Sequence, residues 1–210
     1  MSRLNSSKTM NNMNHMNQVV VPATSQNQLP PEEERFAKYA GTMTEAVYES
    51  ILTLFNAGYK TVDPQLVAFA GMLIKSLEKH QLIHGFISNS HIKCWDSIKR
   101  RNEQYFIENA SDIFKYLPMD KVELFKDLFN TVDAYGSSVI AQETKDELWD
   151  LFDVMVKCAI KYVHKHRQPY SVRNSNGSIT EYYGQSFFDE VDLHRHVKTW
   201  GLTLEFPLKE

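Results

Sequence analysis

Histidine is the side chain best suited to ligate a metal or move a proton near neutrality, and most histidines of this chain fall in short groups. His80 and His84 stand four apart, with His91 following. Two imidazoles at that spacing on one helix face can share a metal ion. Gly85 follows directly, which argues against helical continuity through His84, and no carboxylate completes the set at a recognisable spacing. His164 and His166, and likewise His194 and His196, are two apart. On a helix that spacing turns the two rings about 200° from each other, so neither pair is expected to ligate. No metal ligand, catalytic residue or cofactor-binding residue is assigned, and no cofactor is expected.

Cations form the second candidate. Lys157, Lys161 and Lys165 recur at i, i+4 and i+8, with Arg167 close behind. Such a stripe can track phosphates. The competing reading is a solvated helix face that complements the helix dipole, because Asp146, Glu147, Asp150 and Asp153 fill the first half of the same segment. A second basic stretch, Lys93, Lys99, Arg100 and Arg101, is diluted by Asp96 and Glu103. Trp95 within it has helical spacing with Ile92 and Ile98, which predicts a core position rather than a base-stacking platform. Asp189, Glu190 and Asp192 read as a helix start, where the dipole favours carboxylates.

Motif-borne chemistry is missing. The glycines are scattered, so no phosphate-cradling GxGxxG or GxxxxGK[ST] loop can be drawn, and no GxSxG, HExxH or kinase signature occurs. Cys94 and Cys158 are far apart and form no CxxC motif, which predicts two reduced, buried thiols. Net charge is −3, so no global field draws the chain to nucleic acid or membrane. No apolar run approaches the roughly 20 residues of a membrane span, and no signal peptide is visible, which predicts an intracellular, cytoplasmic protein.

These residues need elements to position them. Residues 1–35 are read as an N-terminal arm, disordered or ordered by a partner. It is rich in Asn, Met and Ser and free of acid up to Pro31. Met10, Met13, Met16, Val19, Val20 and Val21 are its candidate partner-binding residues. Pro30-Pro31 and three glutamates mark the boundary, with the folded domain starting near Phe36. Residues 36–168 are expected to form a helical domain. A capping box at Thr42 and Glu45 opens its first helix, and Asp63-Pro64 opens the second. The second is apolar almost all round and is predicted to be central, with Gly71 at a close helix contact. Residues 80–90 read as a connection, followed by a helix from about His91 to Asn109 with a break near Arg101-Asn102. Asp120 caps a further helix carrying Val122, Phe125, Leu128, Phe129 and Val132. A last long helix spans 144–166 behind a second capping box, Thr144 and Glu147, with one apolar stripe through Leu148, Leu151, Phe152, Met155, Val156, Ala159, Tyr162 and Val163. Residues 169–210 are expected to pack on the same domain as a small α+β element. It comprises a hairpin around a type I′ Asn176-Gly177 turn, a helix near 186–199, and a strand from Leu202 to Phe206 that could join the hairpin. The fold class is mainly α, bundle-like, with a small C-terminal antiparallel β element.

Within residues 86–114, Trp95, the turn Arg100-Arg101-Asn102-Glu103, the pair Tyr105-Phe106 and the run Asn109-Ala110-Ser111-Asp112 follow one another. This segment resembles helical segments in uncharacterised proteins of large nucleocytoplasmic DNA viruses. The resemblance carries over no functional residue. It implies a virus-encoded assembly or accessory protein, located in the virion or the viral factory. The favoured function is a non-catalytic interaction or structural protein that docks to protein partners. The alternative is a nucleic-acid-associated accessory protein using Lys157, Lys161, Lys165 and Arg167, and a metal-dependent enzyme ranks third.

Overall fold

The first helix, α1 (Pro31–Asn56), starts with proline at a position where its missing N–H is harmless, and Glu32, Glu33 and Glu34 meet the positive end of the dipole. The computed structural model describes residues 31–59, 63–113, 119–167, 170–174, 176–182 and 187–204. The candidate arm residues Met10, Met13, Met16, Val19, Val20 and Val21 lie outside these, as do Glu205 and Phe206 and the side chains of Ile92, Phe125, Leu128 and Phe129. Residues 31–35, assigned to the arm on sequence, belong to α1. The capping box expected at Thr42 does not form. Thr42 Oγ1 donates back to the Lys38 carbonyl at 3.2 Å, inside the helix. The segment ahead of it is made of good helix formers, and one glycine, Gly41, costs only about 1 kcal/mol relative to alanine.

Helix α2 (Pro64–Ser76) starts as the sequence indicates, with the Asp63 carboxylate accepting from the Gln65 N–H at 2.8 Å. It is not central. Pro64, Val67 and Gly71 are buried on α1, while the opposite face is exposed. Gly71 does sit at a close contact: a Cβ there would lie 3.0 Å from the Thr44 methyl of α1.

Helix α3 (Lys79–Lys99) runs unbroken through the stretch read as a connection. Ile83 and Ile87, both buried, hold Gly85, Ser88 and Asn89 in the helix with their faces toward solvent. Local propensity yields to burial of the apolar stripe. The helix closes in a Schellman motif: Asn102 N–H donates to Ser97 and Arg101 N–H to Ile98. Arg101 takes the left-handed conformation, φ 49°, at the break expected there. Short helices α4 (Glu103–Glu108) and α5 (Ala110–Ile113) follow, then α6 (Met119–Asn130).

Helix α7 (Gln142–Lys165) is the central element, packed on α1, α3 and the last helix. It begins ahead of Thr144, and its N-cap is Ala141, so the second expected capping box is also absent. The predicted stripe is only part of its burial. Leu148, Leu151 and Phe152 are half-buried, whereas Met155, Val156, Cys158, Ala159, Ile160, Tyr162, Val163 and His164 are buried nearly all round. All of these buried residues but His164 form the main core with Phe36, Ile83, Ile87, Trp95, Ile98, Leu193 and Trp200. A satellite core joins Ile51, Leu54, Val67 and Ile140 at the far end of α1.

Strands β1 (Tyr170–Arg173) and β2 (Ile179–Tyr182) pair antiparallel, with Tyr170 opposite Tyr182 and Arg173 opposite Ile179. Only Gly177 of the Asn176-Gly177 pair has positive φ, 83°, and its N–H donates to the Asn174 carbonyl at 2.9 Å. That is a longer connection than a two-residue type I′ turn, which needs both residues at positive φ. Helix α8 (Glu190–Thr199) is capped by Asp189 and ends at Gly201, φ 59°. Residues 202–204 form no strand, contrary to the alternation there. The Leu202 N–H is drawn back to the Val197 carbonyl at 3.0 Å by the helix-terminating turn, and its side chain packs on the main core.

Candidate interaction surface

Most of the described histidines are inside. His80, His91, His164 and His196 are buried and His84 and His166 half-buried, while His194 is exposed. His80 and His84 share a face of α3, their rings 6.3 Å apart and edge to face. His84 Nε2 and the Tyr162 hydroxyl share a hydrogen bond of 2.7 Å, its direction set by the tautomer. His196 lies in an aromatic cage of His91, Trp95 and Phe188, at 4.9 Å from the Trp95 centroid and 5.4 Å from Phe188. Burial holds the ring pKa at about 4 for His84, His166 and His196 and lowers those of His80 and His91. These are neutral rings used as packing surface. No group of three or more His, Cys, Asp or Glu able to hold a metal occurs among the described residues. Both cysteines are buried.

Glu33 is the other perturbed group. It is fully buried, neither carboxylate oxygen has a hydrogen-bond partner among the described residues, and its pKa rises to about 7 by desolvation, with Glu32 and Glu34 adding to it. A displaced pKa signals chemistry when the group opens into a cleft. A groove of about 490 Å³ lies elsewhere, between Thr42, Glu45, Glu49 and Thr53 of α1 and Val139, Ile140, Thr144 and Glu147. Neither histidine nor cysteine lines it.

The basic stripe is the solvent-facing strip of α7, and carboxylates accompany most of it. Lys157 pairs with Asp153 at 2.5 Å, Lys165 with Glu32 at 3.5 Å, and Arg167 with Glu190 at 2.7 Å. Among the described residues, a phosphate would have to compete with these partners at Lys157, Lys165 and Arg167. The acids at the start of α8 are likewise engaged: Asp189 caps, Glu190 holds Arg167, and Asp192 pairs with Arg195 at 2.9 Å. Trp95 is fully buried, as its spacing predicts.

The surface feature that remains is apolar, and sequence periodicity missed it. On α2, Leu66 is 39 % exposed, Phe69 53 %, Met72 62 % and Leu73 51 %; Leu77 just beyond the helix and Phe55 of α1 are exposed as well. At about 100° per residue, Leu66, Phe69 and Leu73 lie within roughly 60° of one another, opposite the Val67–Gly71 face that packs on α1. Lys75 is the single charged residue on α2, and it is paired with Glu45 at 3.0 Å. The signal in the sequence was the helix's apolarity all round. Periodicity reports that a residue is apolar, not whether anything covers it. No described helix is long and apolar enough to cross a membrane. No protein-family model matches this chain, no curated protein is detectably similar to it, and no solved structure matches it.

Proposed function

We propose that this chain is a non-catalytic interaction or assembly protein that docks to protein through the outer face of α2. The observation that carries this reading is the band of Leu66, Phe69, Met72 and Leu73, half or more exposed at most positions and nearly free of charge. A monomer that leaves on the order of 500 Å² of contiguous apolar surface in water has a patch at the upper end of what single proteins carry, and such patches are often functional. The resemblance of residues 86–114 to viral proteins fits an assembly role. The burial of the perturbed groups away from the groove supports a non-catalytic reading, because a substrate could reach neither Glu33 nor His196.

A photo-crosslinking amino acid at Met72 tests it in cells producing the chain, with the same probe at Glu143 on the exposed start of α7 as control. One discrete protein adduct from position 72, abolished by Leu73→Glu, is expected. Equal labelling from both positions would refute docking through α2.

A further inference from the structure

We infer that the occupant of the α2 face is a second copy of this chain, with the two α2 helices antiparallel across a two-fold axis. The inference rests on the docking reading above and names its partner. Leu66, Phe69, Leu73 and Leu77 recur at i, i+3, i+7 and i+11, a straight seam along the whole helix. Such a seam is self-complementary when reversed. With the axis level with Gly71 along the helix, Phe69 meets Leu73 of the second copy and Leu66 meets the Ser76-Leu77 end, while Met72 on one flank and Ala70 on the other each face their own counterparts.

Charge permits the pairing. A copy brings the same residues to the seam, so any charge there would face its own sign. The helix carries no acid and one base, and Lys75 is already neutralised by Glu45. Polar Gln65 and Ser76 fall at the two ends, where a rim belongs. The area agrees as well. Roughly 500–600 Å² of exposed side chain per copy, Phe55 included, gives about 1,000–1,200 Å² in total, at the low end for a specific interface. Interfaces at that end of the size range belong to weak, transient complexes, so the expected dimer assembles at micromolar concentration and dissociates on dilution.

Sedimentation velocity on the full chain, from about 1 to 100 µM, tests this. A monomer–dimer equilibrium in that range is expected, converted to monomer by Phe69→Glu and by Leu73→Glu with the helical circular dichroism unchanged. A dimer that persists in both variants places the interface elsewhere and sinks this inference and the docking reading together. A monomer throughout, still giving the Met72 crosslink to a different protein, overturns the second copy while docking stands. A monomer that dimerises only when Val19→Asp and Val20→Asp are introduced overturns it in favour of the chain's own N-terminal segment as occupant.

Discussion

The second half of α7 and the whole of α2 are both strongly apolar, yet they differ in what surrounds them. From Met155 to His164, α7 is enclosed by α1, α3 and α8, and even its histidine is buried. From Leu66 to Leu73, α2 packs mainly on α1 and leaves its larger side chains in solvent. Around α7 the chain buries imidazoles and a carboxylic acid where hydrocarbon would serve. On α2 it exposes hydrocarbon where lysine and glutamate would be expected. Apolar surface stabilises the fold only where water is removed from it, at about 25 cal/mol per Å². The residues of α7 therefore belong to stability, and those on the outer face of α2 do not contribute to it.

The largest effect should come from the enclosed side. Ile160→Ala, at a position with no solvent exposure, should destabilise the fold by about 2–5 kcal/mol in urea unfolding. Leu151→Ala, half-buried on the same helix, should cost clearly less. Equal costs would mean that burial along α7 is uniform.

Acid should break the same region. The rings of His84, His166 and His196 have folded pKa values near 4 against an ordinary 6.5. Between those values the unfolded chain binds more protons, so stability is intact above pH 6.5 and is lost as pH falls toward 4. His196 faces His91, Arg195, Asp192 and Asp96, and His91 faces Asp192, Arg195 and Asp189. His84 faces His80 and His166, and His166 faces Lys165 and Glu32. A fall of about 1–3 kcal/mol per pH unit is expected below pH 6, followed by tryptophan fluorescence, and His196→Leu should flatten it. An acid limb unaffected by that substitution would remove His196 from the explanation.

Glu33 works in the opposite sense. Its folded pKa is about 7 against an ordinary 4.5, so its contribution is full below pH 4.5 and is lost as pH rises through 7. Glu33→Gln should thus leave stability unchanged at pH 4.5 and raise it by about 1–3 kcal/mol at pH 8. A Gln variant less stable at pH 8 would show that the carboxylate has a partner.

The smallest effect lies at the α1–α2 contact. Gly71→Ala improves helix propensity by about 1 kcal/mol but brings a methyl 3.0 Å from the Thr44 methyl. Thr44 cannot turn away without breaking its 2.8 Å bond to the Ala40 carbonyl. A net loss of about 1 kcal/mol or less is expected from thermal melts, and a gain would mean that α2 shifts freely on α1.

These contrasts also separate what the sequence discloses from what it does not. Asp63-Pro64 marks a helix start through the chemistry of one cap, and Arg101-Asn102 a stop, because both signals are local. Thr42-Glu45 and Thr144-Glu147 match a capping box equally well, but each sits inside a helix whose length is decided by burial of Phe36 and Ala40 or by α7 packing. Gly85 and Ser88-Asn89-Ser90 look like a connection because their own propensities are poor, while Ile83 and Ile87, which hold the helix, act through distant partners. The spacing of the imidazoles says only which of them share a helix face, and the three-dimensional packing of Trp95, Phe188 and Tyr162 makes them core. The exposed face of α2 was the hardest to see, since exposure is a property of what fails to pack.

The most direct measurement combines Phe69→Glu and Leu73→Glu in one chain, unfolded by urea at submicromolar concentration, where association is absent. If the outer face of α2 serves docking and not folding, the midpoint stays within about 0.5 kcal/mol of wild type, as for surface substitutions generally. A loss of 2 kcal/mol or more would contradict this, because two carboxylates can cost that much only where the face is covered in the folded chain.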